Sequence, residues 1–165
     1  MTEQPWKFAT RCVHAEEQAD ALGSPHTPLY DTTTFRFPDT QALCEVAEGR
    51  RPGYFYSRYG SNPSIRSLEA RLASLEEAAG ALAFASGMAA ISATLLAHGR
   101  AGVVCVGELY GGTRELLHNQ LGSLGLPVTN VAGNDAAALD GALQAGGRLV
   151  YLETPANPTL EIIGV

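Results

Sequence analysis

Apolar and polar positions fall into two regimes along the chain. Over residues 1–60 they keep little sustained period, prolines are scattered (Pro5, Pro25, Pro28, Pro38, Pro52), and threonines cluster at Thr32, Thr33 and Thr34. This stretch reads as a mostly extended arm with one short helix near Thr40 to Glu48. So long an irregular segment packs on something, either the domain body or a neighbouring subunit, and an interface is favoured. From Asn62 the pattern becomes regular. Asn62 is a good N-cap, and Pro63 takes the first helical position, where its missing N–H costs nothing. Ile65, Leu68, Leu72 and Leu75 then share one face, predicting an amphipathic helix that ends near Gly80.

Beyond Gly80 short apolar runs alternate with helical stretches. Strands are predicted at Ala81 to Ala85, Val103 to Val106, Val128 to Val131 and Leu149 to Leu152. Helices are predicted at Met88 to Ala97, Thr113 to Leu121 and Asp135 to Ala145, the last stopped by Gly146 and Gly147. Apolar strands separated by three-turn helices signal an α/β fold, a mostly parallel sheet with helical crossovers. The organisation expected is an arm over 1–60, followed over 61–165 by the first part of an α/β domain.

Composition narrows the function classes. The 165 residues carry 11 Lys+Arg against 17 Asp+Glu, a formal net charge of −6. Without a basic stripe to displace counterions, nucleic acid is not an expected partner. No apolar run approaches the ~20 residues of a membrane span, and MTEQPWKFAT lacks the basic-then-apolar layout of a signal peptide. A soluble, cytoplasmic protein with no membrane partner is expected. Cys12, Cys44 and Cys105 form no C-x-x-C pair, which excludes a zinc ribbon or thioredoxin-type motif and reads as three reduced thiols. His14, His26, His98 and His118 fall at no metal-ligand spacing, so no metal site is expected. Lys7 is the only lysine, so chemistry that needs a buried amine must use it or do without.

In open α/β sheets ligands bind beyond the carboxyl ends of the strands, which selects the loops to read. Ala85-Ser86-Gly87-Met88 opens a helix, where free N–H groups and the helix dipole favour an anion; the alternative is a tight turn that uses Gly87 for its backbone freedom. Gly107 to Thr113 (GELYGGT) places Tyr110 to stack on a flat heteroaromatic ligand, or to pack over the sheet edge. Glu153 to Pro158 holds Asn157 between two prolines, as a directed amide or as a turn residue. Arg58, with Tyr56 nearby, is a candidate phosphate clamp or a surface arginine. A G-x-G-x-x-G fingerprint, a Walker A loop and a G-x-S-x-G elbow are all missing, which lowers the odds of a dehydrogenase, a P-loop NTPase or an α/β-hydrolase.

Taken together, YSRYGSNPS (56–64), LEARLASLE (68–76), ASGMAAI (85–91), ELYGGT (108–113) and ETPANPT (153–159) resemble the Cys/Met-metabolism group of pyridoxal-phosphate enzymes. HTPLYDTTTF (26–35) is similar to that family's proline-then-threonine stretch. The resemblance implies the N-terminal part of the fold-type I, aspartate-aminotransferase-like large domain, preceded by the arm. It implies pyridoxal 5'-phosphate as cofactor and a small amino acid as substrate. Ser86, Gly87 and Met88 would bind the cofactor phosphate, the last two through backbone N–H groups. Tyr110 would lie over the pyridine ring and act catalytically in proton transfer, and Asn157 would hydrogen-bond the ring's phenolic oxygen. Tyr56 and Arg58 would reach the phosphate of a neighbouring subunit, making the site a property of a homo-oligomer, dimer or tetramer.

Two departures from the family pattern stand out. Three residues (Tyr59, Gly60, Ser61) separate Arg58 from Asn62-Pro63, where the family has two. The family's chains are also more than twice as long, and the lysine that forms the Schiff base and the aspartate that pairs with the pyridine nitrogen lie further on than Val165. Lys7, in the arm, has nothing around it to make it a neutral nucleophile. The expectation is therefore the N-terminal segment of a trans-sulfuration enzyme, inactive and a weak cofactor binder by itself, completed by a C-terminal half. The alternative is a non-catalytic oligomerisation or regulatory fragment that pairs with full-length homologues.

Overall fold

The computed structural model of the chain describes residues 6–15, 22–60 and 62–164. Residues 1–5, where the signal-peptide reading begins, and Ser61 lie outside them. The chain divides into two compact units, Met1–Ala83 and Phe84–Val165.

The described residues of the first unit form helices α1 (Phe8–His14), α2 (Thr40–Ala47) and α3 (Pro63–Leu75). The α2 and α3 boundaries follow their caps. Asp39 accepts the Ala42 N–H at 2.8 Å, and Asn62 accepts that of Ser64 at 2.8 Å ahead of Pro63. Helix α1 has no side-chain cap and no periodic signature. It is held from outside, because Arg11 donates to the Ser74 carbonyl at 2.7 Å and pairs with Glu77 at 2.8 Å. The predicted end of α3 near Gly80 is not observed. Glu77 takes a left-handed conformation (φ 54°) and Ala78 N–H turns back to the Ala73 carbonyl, closing the helix at Leu75.

The strand predicted at Ala81 to Ala85 is also absent. Its backbone has no ladder partner; the Ala83 N–H goes to the Glu69 carboxylate at 3.0 Å. Glu69 is accordingly the buried residue of α3, while Ile65, Leu68 and Leu72 of the predicted apolar face are exposed.

In the second unit, helix α4 (Gly87–His98) precedes a parallel sheet of β1 (Val103–Val106), β2 (Val128–Val131) and β3 (Leu149–Leu152), in the order β2-β1-β3. All three strands match their predicted bounds. The central strand β1 is buried throughout, as its uninterrupted Val-Val-Cys-Val run requires. Helix α5 (Gly111–Glu115) starts two residues before the predicted Thr113. It widens into a π-helical turn (Leu116–Leu121), which presents Leu116, Leu117 and Leu121 inward. Helix α6 (Ala136–Gln144) crosses from β2 to β3, with Asp135 as its cap.

Two cores cover the sheet. Val103 and Cys105 pack with Leu95, Leu109, Leu116, Leu117 and Leu121 on one face. Val104 and Val106 pack with Ile163 on the other, where Leu139 and Leu143 of α6 join them. The chain leaving β1 therefore turns to the first face, and the chain leaving β3 turns to the second. In open α/β sheets, ligands bind at such a divergence, beyond the carboxyl ends of the strands.

Candidate functional site

The start of α4 supplies the first wall of that end of the sheet unit. Ser86 is extended (φ −157°, ψ 159°), and its Oγ accepts the Ala89 N–H at 3.1 Å. The cap satisfies the third helical N–H and leaves those of Gly87 and Met88 without an intrahelical acceptor, as at every helix start. A methyl group added at Gly87 would meet no atom within 4 Å, so the turn faces open space. Two free N–H groups and a helix dipole in an open turn suit a phosphate.

Tyr110 comes from the loop after β1. The strand ends in Gly107 at φ +72°, a left-handed turn that a side chain would strain. Three residues on, the half-exposed Tyr110 ring lies beside Gly112. A Cβ on Gly112 would stand 2.7 Å from Tyr110 Cε1 and 3.5 Å from Met88 Sδ. Without a side chain, Gly112 leaves room for the Tyr110 ring beside the Met88 side chain, so an aromatic ring and the start of α4 stand near each other, a pairing that suits a phosphate with a flat ring attached. The observed cradle thus fits pyridoxal phosphate.

Asn157 stands exposed on the loop that leaves β3, between Pro155 and Pro158, both preceded by cis peptide bonds. The loop is tied down by Ala156 N–H to the Glu161 carbonyl and by Leu160 N–H to the Ala156 carbonyl. Glu153, at the root of that loop, was given no role by sequence reasoning. Its carboxylate accepts the Tyr110 N–H at 2.7 Å, the Thr113 hydroxyl at 3.0 Å and the Tyr151 hydroxyl at 2.9 Å. The one available signal was a charged residue closing an otherwise apolar strand. Burial pushes the Tyr151 phenol up to about 12, with the Glu153 carboxylate adding to the rise against the opposing Thr113 contact. Burial alone raises the Cys105 thiol to about 11.

Tyr56 and Arg58 belong to the first unit. The extended Tyr56 pairs antiparallel with Thr34, and Ser57 N–H donates to the Thr33 carbonyl, which gives the threonine cluster its use. Arg58, on a 3-10 turn (Ser57–Tyr59), donates to the Tyr56 hydroxyl, its guanidinium carbon 5.0 Å from the ring centroid. Gly60, in the left-handed region, ends this turn; it belongs to the three-residue spacer that departs from the family pattern. Lys7 is exposed ahead of α1. Among the described residues no three His, Cys, Asp or Glu gather as a metal site, and no helix is long and apolar enough to cross a membrane.

Comparison with known proteins gives this geometry its family. The model of the family described as Cys/Met metabolism PLP-dependent enzyme matches residues 9–165. L-methionine γ-lyase of Pseudomonas putida is 40% identical over 161 residues, 96% of this chain and 40% of that protein. Cystathionine γ-synthase of Mycobacterium bovis is 38% identical over 160 residues, 95% of this chain and 39% of that one. A Campylobacter jejuni protein assigned as an O-acetylhomoserine (thiol)-lyase, whose crystal structure carries N'-pyridoxyl-lysine-5'-monophosphate, superposes with a TM-score of 0.85 at 27% identity, covering 96% of this chain and 39% of that one. The chain thus spans about 40% of the length of the relatives it matches. Its architecture is the N-terminal part of the fold-type I α/β domain, and pyridoxal phosphate is the cofactor of the intact enzyme. The chain belongs to the pyridoxal-phosphate-dependent enzymes of Cys/Met metabolism.

Proposed function

We propose that the chain is the cofactor-gripping N-terminal segment of a trans-sulfuration enzyme that acts on sulfur-containing amino acids or activated homoserine, by elimination or replacement at the γ or β carbon. The observation that carries this reading is the convergence of the Tyr110 ring and the free N-terminus of α4 around Gly112. When bound, pyridoxal phosphate supplies an electron sink for charge at the substrate's α-carbon. The chain's own residues do the rest of what this segment contributes. Gly87 and Met88 N–H groups hold the phosphate, Tyr110 covers the ring and moves a proton at its phenolic oxygen, and Asn157 orients the ring through its amide. Tyr56 and Arg58 serve the phosphate of a neighbouring copy, which makes the working form a homo-oligomer. Three free thiols, Cys12, Cys44 and Cys105, fit work in the reducing cytoplasm.

The test is a titration of the 15N-labelled chain with pyridoxal 5'-phosphate and with pyridoxal, followed by amide shifts, which register weak binding. The phosphate-bearing ligand should move the Gly87, Met88 and Tyr110 amides, whereas pyridoxal should leave Gly87 and Met88 in place. Gly87→Pro deletes one N–H, and the extended Ser86 before it tolerates a proline, so the helix survives. That variant should weaken phosphate-dependent binding about tenfold, the magnitude of one hydrogen bond to a charged group. Equal responses to the two ligands, or shifts confined to other residues, would overturn the proposal.

A further inference from the structure

We infer that Glu153 is the positioning residue for Tyr110, one carboxylate that locks the loop after β1 to the end of β3 and so fixes the ring over the cofactor. The inference rests on the reading above in one respect, that Tyr110 covers the cofactor ring. Strand pairing constrains β1 and β3 only as far as Val106 and Leu152. Beyond that ladder Gly107 turns the chain away, and the Tyr110 side chain makes no cap to α5. Gly107 N–H still reaches the Val131 carbonyl of β2 at 3.0 Å, and residues 108–110 continue past the ladder on the loop that carries the ring.

Glu153 stands one residue past β3, and its two oxygens divide the work. Oε2 takes the Tyr110 N–H, while Oε1 takes the hydroxyls of Thr113 and Tyr151. Tyr110 and Thr113 flank the first turn of α5, so two bonds from one carboxylate set both where that turn begins and how it is rotated. Thr113 is fully buried and Tyr151 belongs to β3, so the far side of the clasp is anchored in the sheet. The clasp also roots the loop that bears Asn157, four residues on. Two loops that must face one ligand are thereby referred to a single fixed group, as preorganisation of a site requires.

The clasp needs hydrogen bonds and does not need the charge. In Glu153→Gln the amide oxygen can accept the Tyr110 N–H, while its NH2 donates to the two hydroxyls, both of which can accept. Glu153→Ala removes every bond.

Amide hydrogen exchange on the ligand-free chain reads this directly. Glu153→Ala should lower the protection of the Tyr110 amide about tenfold relative to that of Cys105 in β1, and Glu153→Gln should restore it. In the same Gln variant, the Tyr151 phenol, followed by 13C-labelled tyrosine, should titrate below its value of about 12 because the neighbouring carboxylate charge is gone. Unchanged Tyr110 protection in Glu153→Ala, or an equal fall at Tyr110 and Cys105, would overturn the proposal, the latter by showing a general loss of stability. Should Glu153→Ala not fold, Glu153→Gln decides alone, and a Tyr110 amide left unprotected there overturns the clasp. With pyridoxal 5'-phosphate added, Glu153→Ala should lose the shift at Tyr110 and keep those at Gly87 and Met88. A wild-type chain in which none of the three amides moves would instead overturn the reading of the site, leaving the ligand-free result as the judge of the clasp.

Discussion

The two units of the chain are held by different physics. The sheet unit is built on burial: β1 is covered on both faces, and Leu95 and Leu117 are fully buried. The arm unit is built on side chains that bond backbone. Ser64 accepts the Tyr30 N–H and donates to the Pro28 carbonyl, and Asn62 donates to the Tyr30 carbonyl, with a side chain to side chain bond between the Thr27 and Ser67 hydroxyls beside them. Arg71 likewise reaches backbone, at the Ala15 carbonyl. Meanwhile the apolar stripe of α3 is only partly covered, with Leu68 half exposed. Hydrogen bonds fix a path over a surface with little apolar burial, whereas only burial makes a core.

The largest expected effect tests the core side of that contrast. Leu117→Ala empties a fully enclosed position in the sheet unit and should destabilise that unit by about 2–5 kcal/mol. Exchange of the β1 amides, Val103 to Val106, measures it, since those residues pack on both faces of the sheet. A loss below about 1 kcal/mol would mean that the cluster around Leu95 and Cys105 is not the unit's core.

Next comes the one buried charge among the described residues of the arm unit. Glu69 accepts the Ala83 N–H at 3.0 Å and pairs with Arg66 at 3.0 Å, the arginine itself half exposed. Glu69→Ala should release the segment that follows α3 and cost about 0.5–1.5 kcal/mol, mainly by losing the bond to the exposed Ala83 amide rather than by breaking the ion pair. The Ala83 amide should exchange faster. An Ala83 amide as protected as before would transfer the anchoring of that segment to some other group.

The same contrast explains which parts of the fold were legible in the sequence. Val103–Val106, Val128–Val131 and Leu149–Leu152 declare themselves because a buried parallel strand is a short apolar run between turn residues. Asn62 and Asp135 declare the starts of α3 and α6 because capping is local chemistry. Ala81 to Ala85 has the same apolar look, but a strand also needs a partner, and its amide found Glu69 instead. Helix α1 was invisible because an arginine contacting residues more than sixty positions away holds it. For the candidate site, the strand-end rule singled out the loops of Gly87 and Met88, Tyr110, and Asn157, although the strand expected ahead of Gly87 does not form. Glu153 escaped because its bonds to Tyr110 and Thr113 span some forty residues, and no local pattern encodes a pairing at that distance.

The smallest expected effect is the most discriminating for the arm. Leu68→Ala removes the same atoms as Leu117→Ala, from a side chain that is 50% exposed on α3. Burial energetics give it little to lose, and alanine is the better helix former, so the change in stability should stay within about 0.5 kcal/mol. Equilibrium urea unfolding of the two variants side by side makes the comparison. A loss beyond about 1 kcal/mol would mean that Leu68 is covered in solution. The stripe of Ile65, Leu68 and Leu72 would then be a packed face of the working assembly, and the arm unit would owe its stability to burial after all.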